Sequence, residues 1–182
     1  MENAASGNSP AKRAPTPGAP GPNREFDIRI ARDGTWFYCG SPIQRPALVK
    51  LFASVLRREA DGSYWLVTPA ERGRIVVDDV PFLAVALAAE GDGHSQRLIF
   101  TTNLDEIVTA SPAHRLRVET AADGEPAPYI MVRDGLEARL ARPVFYDLVE
   151  LAAEREIAGE RQFGVWSEGE FFVLGDPGEE EG

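Results

Sequence analysis

Three short blocks of this sequence occur twice, in the same order, and this repetition constrains the fold more than any other feature. The matching pairs are residues 30–34 with 131–135, residues 45–52 with 142–149, and residues 62–67 with 169–174. A single short match arises easily by chance, whereas three collinear matches indicate that one unit has been duplicated. The copies extend from about Phe26 to Val67 and from Tyr129 to Leu174.

Each block predicts a local structure. Asp33-Gly34 and Asp134-Gly135 lie between strand-forming residues, and Asp-Gly favours a tight hairpin turn that needs positive φ. The second block begins with Arg-Pro, and proline opens a helix well because its missing N–H is not needed there. The third block alternates in the manner of a strand. Each copy is therefore expected to form a hairpin, a helix and a strand.

The two predicted helices each carry an apolar stripe at helical spacing. The stripes are Leu48, Leu51, Phe52, Val55 and Leu56 in the first copy, and Phe145, Leu148, Val149, Ala152 and Ala153 in the second. Further strands are predicted between the copies, at residues 74–77, 82–89, 97–101 and 115–119. The fold class is therefore α+β, with two related units and mostly antiparallel sheets.

The composition divides the chain into four segments. Residues 1–24 are rich in Pro, Gly and Ala and are expected to be disordered, as is the acidic segment 176–182. Between them, residues 25–100 are assigned to an N-terminal α+β unit and residues 101–175 to a C-terminal one.

Charge and cysteine content exclude several classes of protein. The net charge of −10 disfavours broad contact with phosphate backbones, so neither DNA nor RNA is an expected partner. No apolar run reaches the roughly 20 residues that span a bilayer, so a membrane partner is not expected either. The single cysteine, Cys39, excludes an internal disulfide and fits a reducing compartment. We expect a soluble cytoplasmic protein, as a monomer or a homodimer.

The sequence contains no familiar catalytic motif. It has no phosphate-binding loop of the GxxxxGK[ST] type, no dinucleotide fingerprint and no nucleophile elbow. His94, His114 and Cys39 are not at metal-ligand spacing. No enzyme activity and no cofactor are therefore predicted. The acidic pairs Asp78-Asp79 and Asp105-Glu106 leave one alternative open, a metal-dependent hydrolase.

Arg45 and Arg142 stand at the start of the two predicted helices. A helix N-terminus with an adjacent arginine suits a bound anion such as phosphate. The alternative is a salt bridge, with Asp33 or Asp134 as the partner. Aromatic residues alternate nearby in the predicted strands, at residues 36–38 and 64–65, and one exposed ring among them could stack on a base.

Several short motifs together resemble a bacterial family, domain of unknown function 1285. In order they are Trp36, residues 40–43 with Arg45, residues 51–53, 61–64, 68–71, 77–82 and 101–103. The resemblance covers about residues 26–175. It implies a duplicated core and a C-terminal half similar to pleckstrin-homology-like folds. It also implies a binding site between the halves for a nucleotide-based ligand, with a role in signal transduction.

The resemblance also implies site residues at the positions that match the motifs: Trp36, Arg45, Thr68, Pro69, Glu71, Asp79, Phe82 and Asn103. We add Arg142 from its place at the second helix. Arg45 is expected to contact phosphate, Trp36 to stack on a base, and Glu71, Asp79 or Asn103 to bind polar edges. A protein-interaction adaptor, docking a peptide on an open sheet edge, is a further alternative.

Overall fold

The computed structural model describes residues 23–175, and its first half is a six-stranded sheet with one helix. The strand order is β3-β2-β1-β6-β5-β4. Strand β1 pairs in parallel with β6, and the other described pairs of this sheet are antiparallel. The elements are β1 Asn23–Ile30, β2 Trp36–Tyr38, β3 Ser41–Pro42, α1 Pro46–Ser54, β4 Leu56–Arg58, β5 Tyr64–Val67 and β6 Arg72–Val77.

The second half contains another six-stranded sheet, a second helix and a three-stranded sheet. The larger sheet has the order β10-β11-β12-β7-β8-β9, with β7 parallel to β12, and the smaller has the order β13-β14-β15. A short 3-10 helix, Gly93–Ser95, follows β7. The elements are β7 Phe82–Glu90, β8 Arg97–Thr102, β9 Ile107–Thr109, β10 Leu116–Thr120, β11 Pro126–Arg133, β12 Leu136–Leu140, α2 Arg142–Glu150, β13 Ala153–Ile157, β14 Glu160–Ser167 and β15 Glu170–Gly175.

The α+β architecture of two related units is confirmed. Strands β1 and β2 form a hairpin at Asp33-Gly34, β11 and β12 form one at Asp134-Gly135, and a nine-residue helix follows each. Both turn glycines have positive φ, +86° and +77°, which is the conformation that the Asp-Gly pattern predicted. The four strands predicted between the copies are present as β6, β7, β8 and β10.

The change of sheet falls between Val77 and Phe82. This is earlier than the division between residues 100 and 101 that the composition suggested, and that division lies inside β8. Asn23 and Arg24, assigned to the N-terminal disordered segment, pair with Arg72 and Gly73 in the first sheet. The rest of that prediction, residues 1–22, and the predicted disorder of residues 176–182 lie outside the described residues.

The buried stripe of α1 differs from the predicted one. Val49 and Ala53 are its buried residues, whereas Leu51 is 61% exposed. Phe52 and Val55 of the predicted stripe do pack against the core, so the prediction misplaced Leu51 and also treated Leu56 as helical. The helix in fact ends at Ser54, and Leu56 is a fully buried residue of β4. A nine-residue helix has too few turns for its periodicity to fix its rotation.

The stripe of α2 was predicted more accurately. Leu148 is fully buried, and Phe145 and Val149 pack against the core. Val144 is buried as well, and Ala153 belongs to β13 rather than to the helix. None of the helices in the described part of the chain is long and apolar enough to cross a membrane.

The two halves contact each other through their hairpin turns. The carbonyl of Gly34 accepts a hydrogen bond from Nδ2 of Asn103 in the second half, at 3.4 Å. The carbonyl of Gly135 accepts one from the guanidinium of Arg58 in the first half, at 3.2 Å. Each Asp-Gly turn is therefore held by a side chain of the other half.

A third contact closes the end of α1. Arg133, next to the second turn, donates to the carbonyl of Ala53 at 2.8 Å and forms an ion pair with Glu106 at 3.3 Å. Carbonyls in the last turn of a helix lack partners within the helix. The second half thus supplies a cationic cap to the helix of the first half.

Candidate ligand-binding pocket

A pocket of about 440 Å³ lies at the start of α1, between the helix and the β2–β3 turn. Most of its surface is apolar. Arg45, one of the predicted site residues, is at its rim. The lining residues are Tyr38, Ser41, Pro42, Ile43, Gln44, Arg45, Leu48 and Phe52.

The local sequence explains the shape of this pocket. Cys39 and Gly40 form a two-residue turn with φ of 48° and 78°, which sends β3 back along β2. The N–H of Ile43 donates to the carbonyl of Trp36 at 2.8 Å and fixes the segment that leads into the helix. Pro46 then starts α1 directly after Arg45. The pocket is therefore bordered by a hairpin and by the first turns of a helix.

The first turn of α1 favours an anion. It contains no acidic residue, and its N-cap residue, Arg45, makes no side-chain capping bond. The positive end of the helix dipole is thus not compensated locally. Neither Arg45 nor Arg142 takes part in an ion pair within residues 23–175, so the alternative of a salt bridge to Asp33 or Asp134 is not formed there.

Tyr38 presents an aromatic ring at the pocket. The residue is 58% exposed, which leaves its ring available for stacking. The neighbouring Cys39 side chain raises the pKa of the Tyr38 hydroxyl. The hydroxyl is therefore protonated at neutral pH and can donate a hydrogen bond. Tyr38 is the exposed ring that the alternation of aromatic residues left unidentified.

Trp36 is not such a ring, and its predicted stacking on a base is incompatible with its position. It is 1% exposed and stacks on Phe52, with ring centroids 6.3 Å apart. A ligand would have to displace Phe52 to reach it. Phe52 itself lines the pocket, so Trp36 supports the pocket from beneath.

Asp79 is engaged inside the protein. Its carboxylate accepts hydrogen bonds from the Tyr129 hydroxyl at 2.9 Å and from Arg139 at 3.1 Å. Burial, and then the hydrogen bond to Asp79, raise the pKa of Tyr129. On the same sheet, Arg117 makes two bonds to the buried carboxylate of Glu137, at 2.7 and 2.8 Å. The contacts of Asp79 join the segment between the two sheets to the second sheet.

Phe82 and Asn103 are structural in this fold. Phe82 is 1% exposed, and the Arg133 guanidinium lies 5.6 Å from the centre of its ring. Asn103 accepts a hydrogen bond from the N–H of Leu83 at 3.1 Å and donates to Gly34. Both polar ends of its amide are therefore in use.

Thr68, Pro69 and Glu71 lie in the exposed turn between β5 and β6. The Thr68 hydroxyl accepts from the N–H of Glu71 at 3.1 Å, and Glu71 forms an ion pair with Arg24 at 3.5 Å. None of the three lines the pocket at α1. Arg142 occupies the first turn of α2, the position equivalent to Arg45. Of the nine predicted residues, the structure places only Arg45 at this pocket.

The four carboxylates of the hydrolase alternative each have a cationic partner. Asp78 pairs with Arg29, Asp79 with Arg139, Asp105 with Lys50, and Glu106 with Arg133. Arg29 lowers the pKa of Asp78 through a hydrogen bond. Within residues 23–175, no three His, Cys, Asp or Glu side chains gather so that they could hold a metal ion.

The comparisons with known proteins point to one family. Its N-terminal part, described as domain of unknown function (DUF1285), N-terminal domain, matches residues 18–80. Its C-terminal part, described as protein of unknown function (DUF1285), C-terminal domain, matches residues 81–174. The two matches meet where the chain passes from one six-stranded sheet to the other. No curated protein matches the chain.

Two solved structures are similar to this chain. A DUF1285 family protein from Silicibacter pomeroyi DSS-3 is 45% identical, with a TM-score of 0.80 and 92% of each chain covered. A DUF1285 family protein from Shewanella baltica OS155 is 28% identical, with a TM-score of 0.54, over 69% of this chain and 91% of the other.

Proposed function

This chain belongs to the DUF1285 family, and on that premise we propose that it is a non-enzymatic protein that binds a small nucleotide-like ligand at the start of α1. One observation carries the proposal: Arg45 lies at the rim of an apolar pocket of about 440 Å³ beside the exposed ring of Tyr38. A nucleotide combines a planar ring with an anionic group, and these are the two features that such a pocket binds.

Each part of the pocket has a defined role in this proposal. The Tyr38 ring stacks on the base, an interaction worth about 1–3 kcal/mol. The Arg45 guanidinium binds phosphate oxygens, and the positive end of the α1 dipole adds to the attraction. The apolar floor, which includes Leu48 and Phe52, excludes water from the contact.

The helix also connects the pocket to the second half. Its first turn borders the pocket, and the carbonyl of Ala53 in its last turn accepts a hydrogen bond from Arg133. A ligand that shifts α1 would act on the contact between the halves, and this is how we connect the pocket to signal transduction. The proposal keeps the pleckstrin-homology-like character of the second half, a cytoplasmic location and a monomeric or homodimeric state as predictions.

The test is a binding screen with matched variants. The purified chain is titrated with mononucleotides, dinucleotides and cyclic dinucleotides, and binding is measured by calorimetry and thermal shift. A ligand at 100 times its Kd stabilises the folded chain by about 2.7 kcal/mol. Arg45→Ala removes a charge-assisted bond worth about 1.5–3 kcal/mol, which weakens binding about 10- to 150-fold.

The duplication offers an internal control. Arg142→Ala removes the equivalent arginine of α2 and is expected to leave binding unchanged. Tyr38→Phe keeps the ring and retains most of the affinity, whereas Tyr38→Ala loses the stacking. The proposal is refuted if no nucleotide stabilises the chain, or if Arg45→Ala and Arg142→Ala weaken binding equally.

A further inference from the structure

The pocket at the start of α1 offers one place for a planar ring and one for an anion. Of its eight lining residues, Tyr38 carries an exposed aromatic ring, whereas Phe52 belongs to the apolar floor. Arg45 is the one cation among them. Lys50, the next cation along α1, already pairs with Asp105 at 2.5 Å. A ligand in the pocket therefore meets one exposed ring and one positively charged side chain.

The surroundings of this cation do not favour further negative charge. The pKa of the Tyr38 hydroxyl is raised first by the Cys39 side chain and also by the negative charge of Asp27, so a carboxylate acts on the ring. The whole chain has a net charge of −10. Among the described residues, no Asp or Glu lines the pocket, and Mg²⁺ on polyphosphates is usually held by one or two carboxylates. A second phosphate would therefore have no partner.

The segment that forms this pocket has no counterpart in the second copy of the duplicated unit. In the first copy β2 ends at Tyr38 and α1 begins at Pro46. Residues 39–45 lie between them, form β3 and supply five of the eight lining residues. In the second copy β12 ends at Leu140 and α2 begins at Arg142, so one residue connects the strand to the helix. The duplication therefore repeats the arginine but not the wall of the pocket.

We propose that the pocket selects a nucleotide with one base and one phosphate, and that each chain binds one such ligand. This inference rests on the proposed function and narrows its substrate class. Nucleoside diphosphates and triphosphates bring phosphates that the pocket leaves unpaired, and a cyclic dinucleotide brings a second base as well. Each unpaired phosphate is expected to weaken binding by about 1.5- to 5-fold, which is the size of an exposed charge interaction.

The first experiment compares ligands on the full chain by calorimetry. A nucleoside, its mono-, di- and triphosphates and its cyclic dinucleotide are titrated with and without Mg²⁺. We expect one ligand per chain, with the monophosphate binding about 10- to 150-fold tighter than the nucleoside and tighter than the triphosphate. A triphosphate or cyclic dinucleotide that binds tighter than the monophosphate, or two ligands per chain, overturns this inference alone. If none of these compounds binds, the proposed function fails as well.

The second experiment adds a cation to the pocket. Ser41 is an exposed lining residue on β3, so Ser41→Arg places a second positive charge there without entering the core. We expect the affinity for the triphosphate to rise about 10-fold or more, the affinity for the monophosphate to rise less, and that for the nucleoside to stay the same. Thr120→Arg, at an exposed position of β10, makes the same change in net charge and should leave the order of affinities unchanged. Equal gains for monophosphate and triphosphate in Ser41→Arg overturn the proposal.

Discussion

Gly34 lies where the two halves touch, and its replacement by alanine measures that contact. The residue has φ of +86°, and an added Cβ would lie 2.6 Å from Nδ2 of Asn103. Alanine in the left-handed region costs about 1–2 kcal/mol by itself. Asn103 must also move away, which leaves the N–H of Leu83 without its 3.1 Å bond and costs about 1–3 kcal/mol more. Gly34→Ala is therefore expected to destabilise the chain by about 2–5 kcal/mol.

The duplicated turn provides the matched control. Gly135 has φ of +77°, but an added Cβ would meet only the Arg58 side chain, at an ordinary 3.6 Å. Gly135→Ala should therefore lower the free energy of unfolding only by the cost of alanine in the left-handed backbone conformation, about 1–2 kcal/mol. In an Asn103→Ala background Gly34→Ala should also fall to about 1–2 kcal/mol, since the clash is gone.

The free energies of unfolding are measured by urea titration followed by tryptophan fluorescence. Equal m-values for the variants show that the same unfolding transition is compared in each. Equal costs for Gly34→Ala and Gly135→Ala would refute the reasoning. So would a cost of Gly34→Ala that persists in full without Asn103, because the contact between the halves would then not be its cause.

Two further predictions follow from burial. Leu148→Ala is expected to lower the free energy of unfolding by about 2–5 kcal/mol because Leu148 is fully buried. Leu51→Ala should change it by no more than about 0.5 kcal/mol because Leu51 is 61% exposed. Equal values from urea unfolding would contradict the placement of α1. Burial and the hydrogen bond to Asp79 raise the pKa of Tyr129 in the folded chain. The protonated Tyr129 therefore stabilises the fold fully below the pKa of an unfolded tyrosine, about 10. This stabilisation is lost as the pH rises through the pKa of Tyr129 in the folded chain. Tyr129→Phe should flatten this alkaline loss in unfolding measurements from pH 8 to pH 11, and an unchanged slope would show that Tyr129 is not responsible.

Local patterns predicted the architecture well. Asp-Gly turns and Arg-Pro helix starts act through backbone conformation, which short sequences determine. The face that α1 buries was predicted less well, because a nine-residue helix is oriented by the sheet beneath it rather than by its own periodicity. The sequence also did not predict that the chain passes from one sheet to the other at residues 78–81. This change of sheet depends on the parallel pairing of β7 with β12, which lies far away in the sequence.

The pocket was predicted only through Arg45. Motif residues such as Trp36, Phe82 and Asn103 have contacts inside the core or between the halves, and a motif does not distinguish such roles from binding. Exposure made the difference between Trp36 and Tyr38, which lie two residues apart on the same strand. The β2–β3 turn creates that difference by ending the sheet beside Tyr38, and only the folded chain reveals it.

The cap that Arg133 provides for α1 also bears on how the chain is made. Arg133 follows Ala53 by 80 residues, so a ribosome moving at about 5–20 residues per second reaches it about 4–16 s later. All six strands of the first sheet come before Phe82 and can pair during that interval. Neighbouring groups of the first half already bond the carbonyls of Leu51, Phe52 and Ser54. In the nascent N-terminal half the Ala53 carbonyl therefore waits for its side-chain partner until the second hairpin arrives.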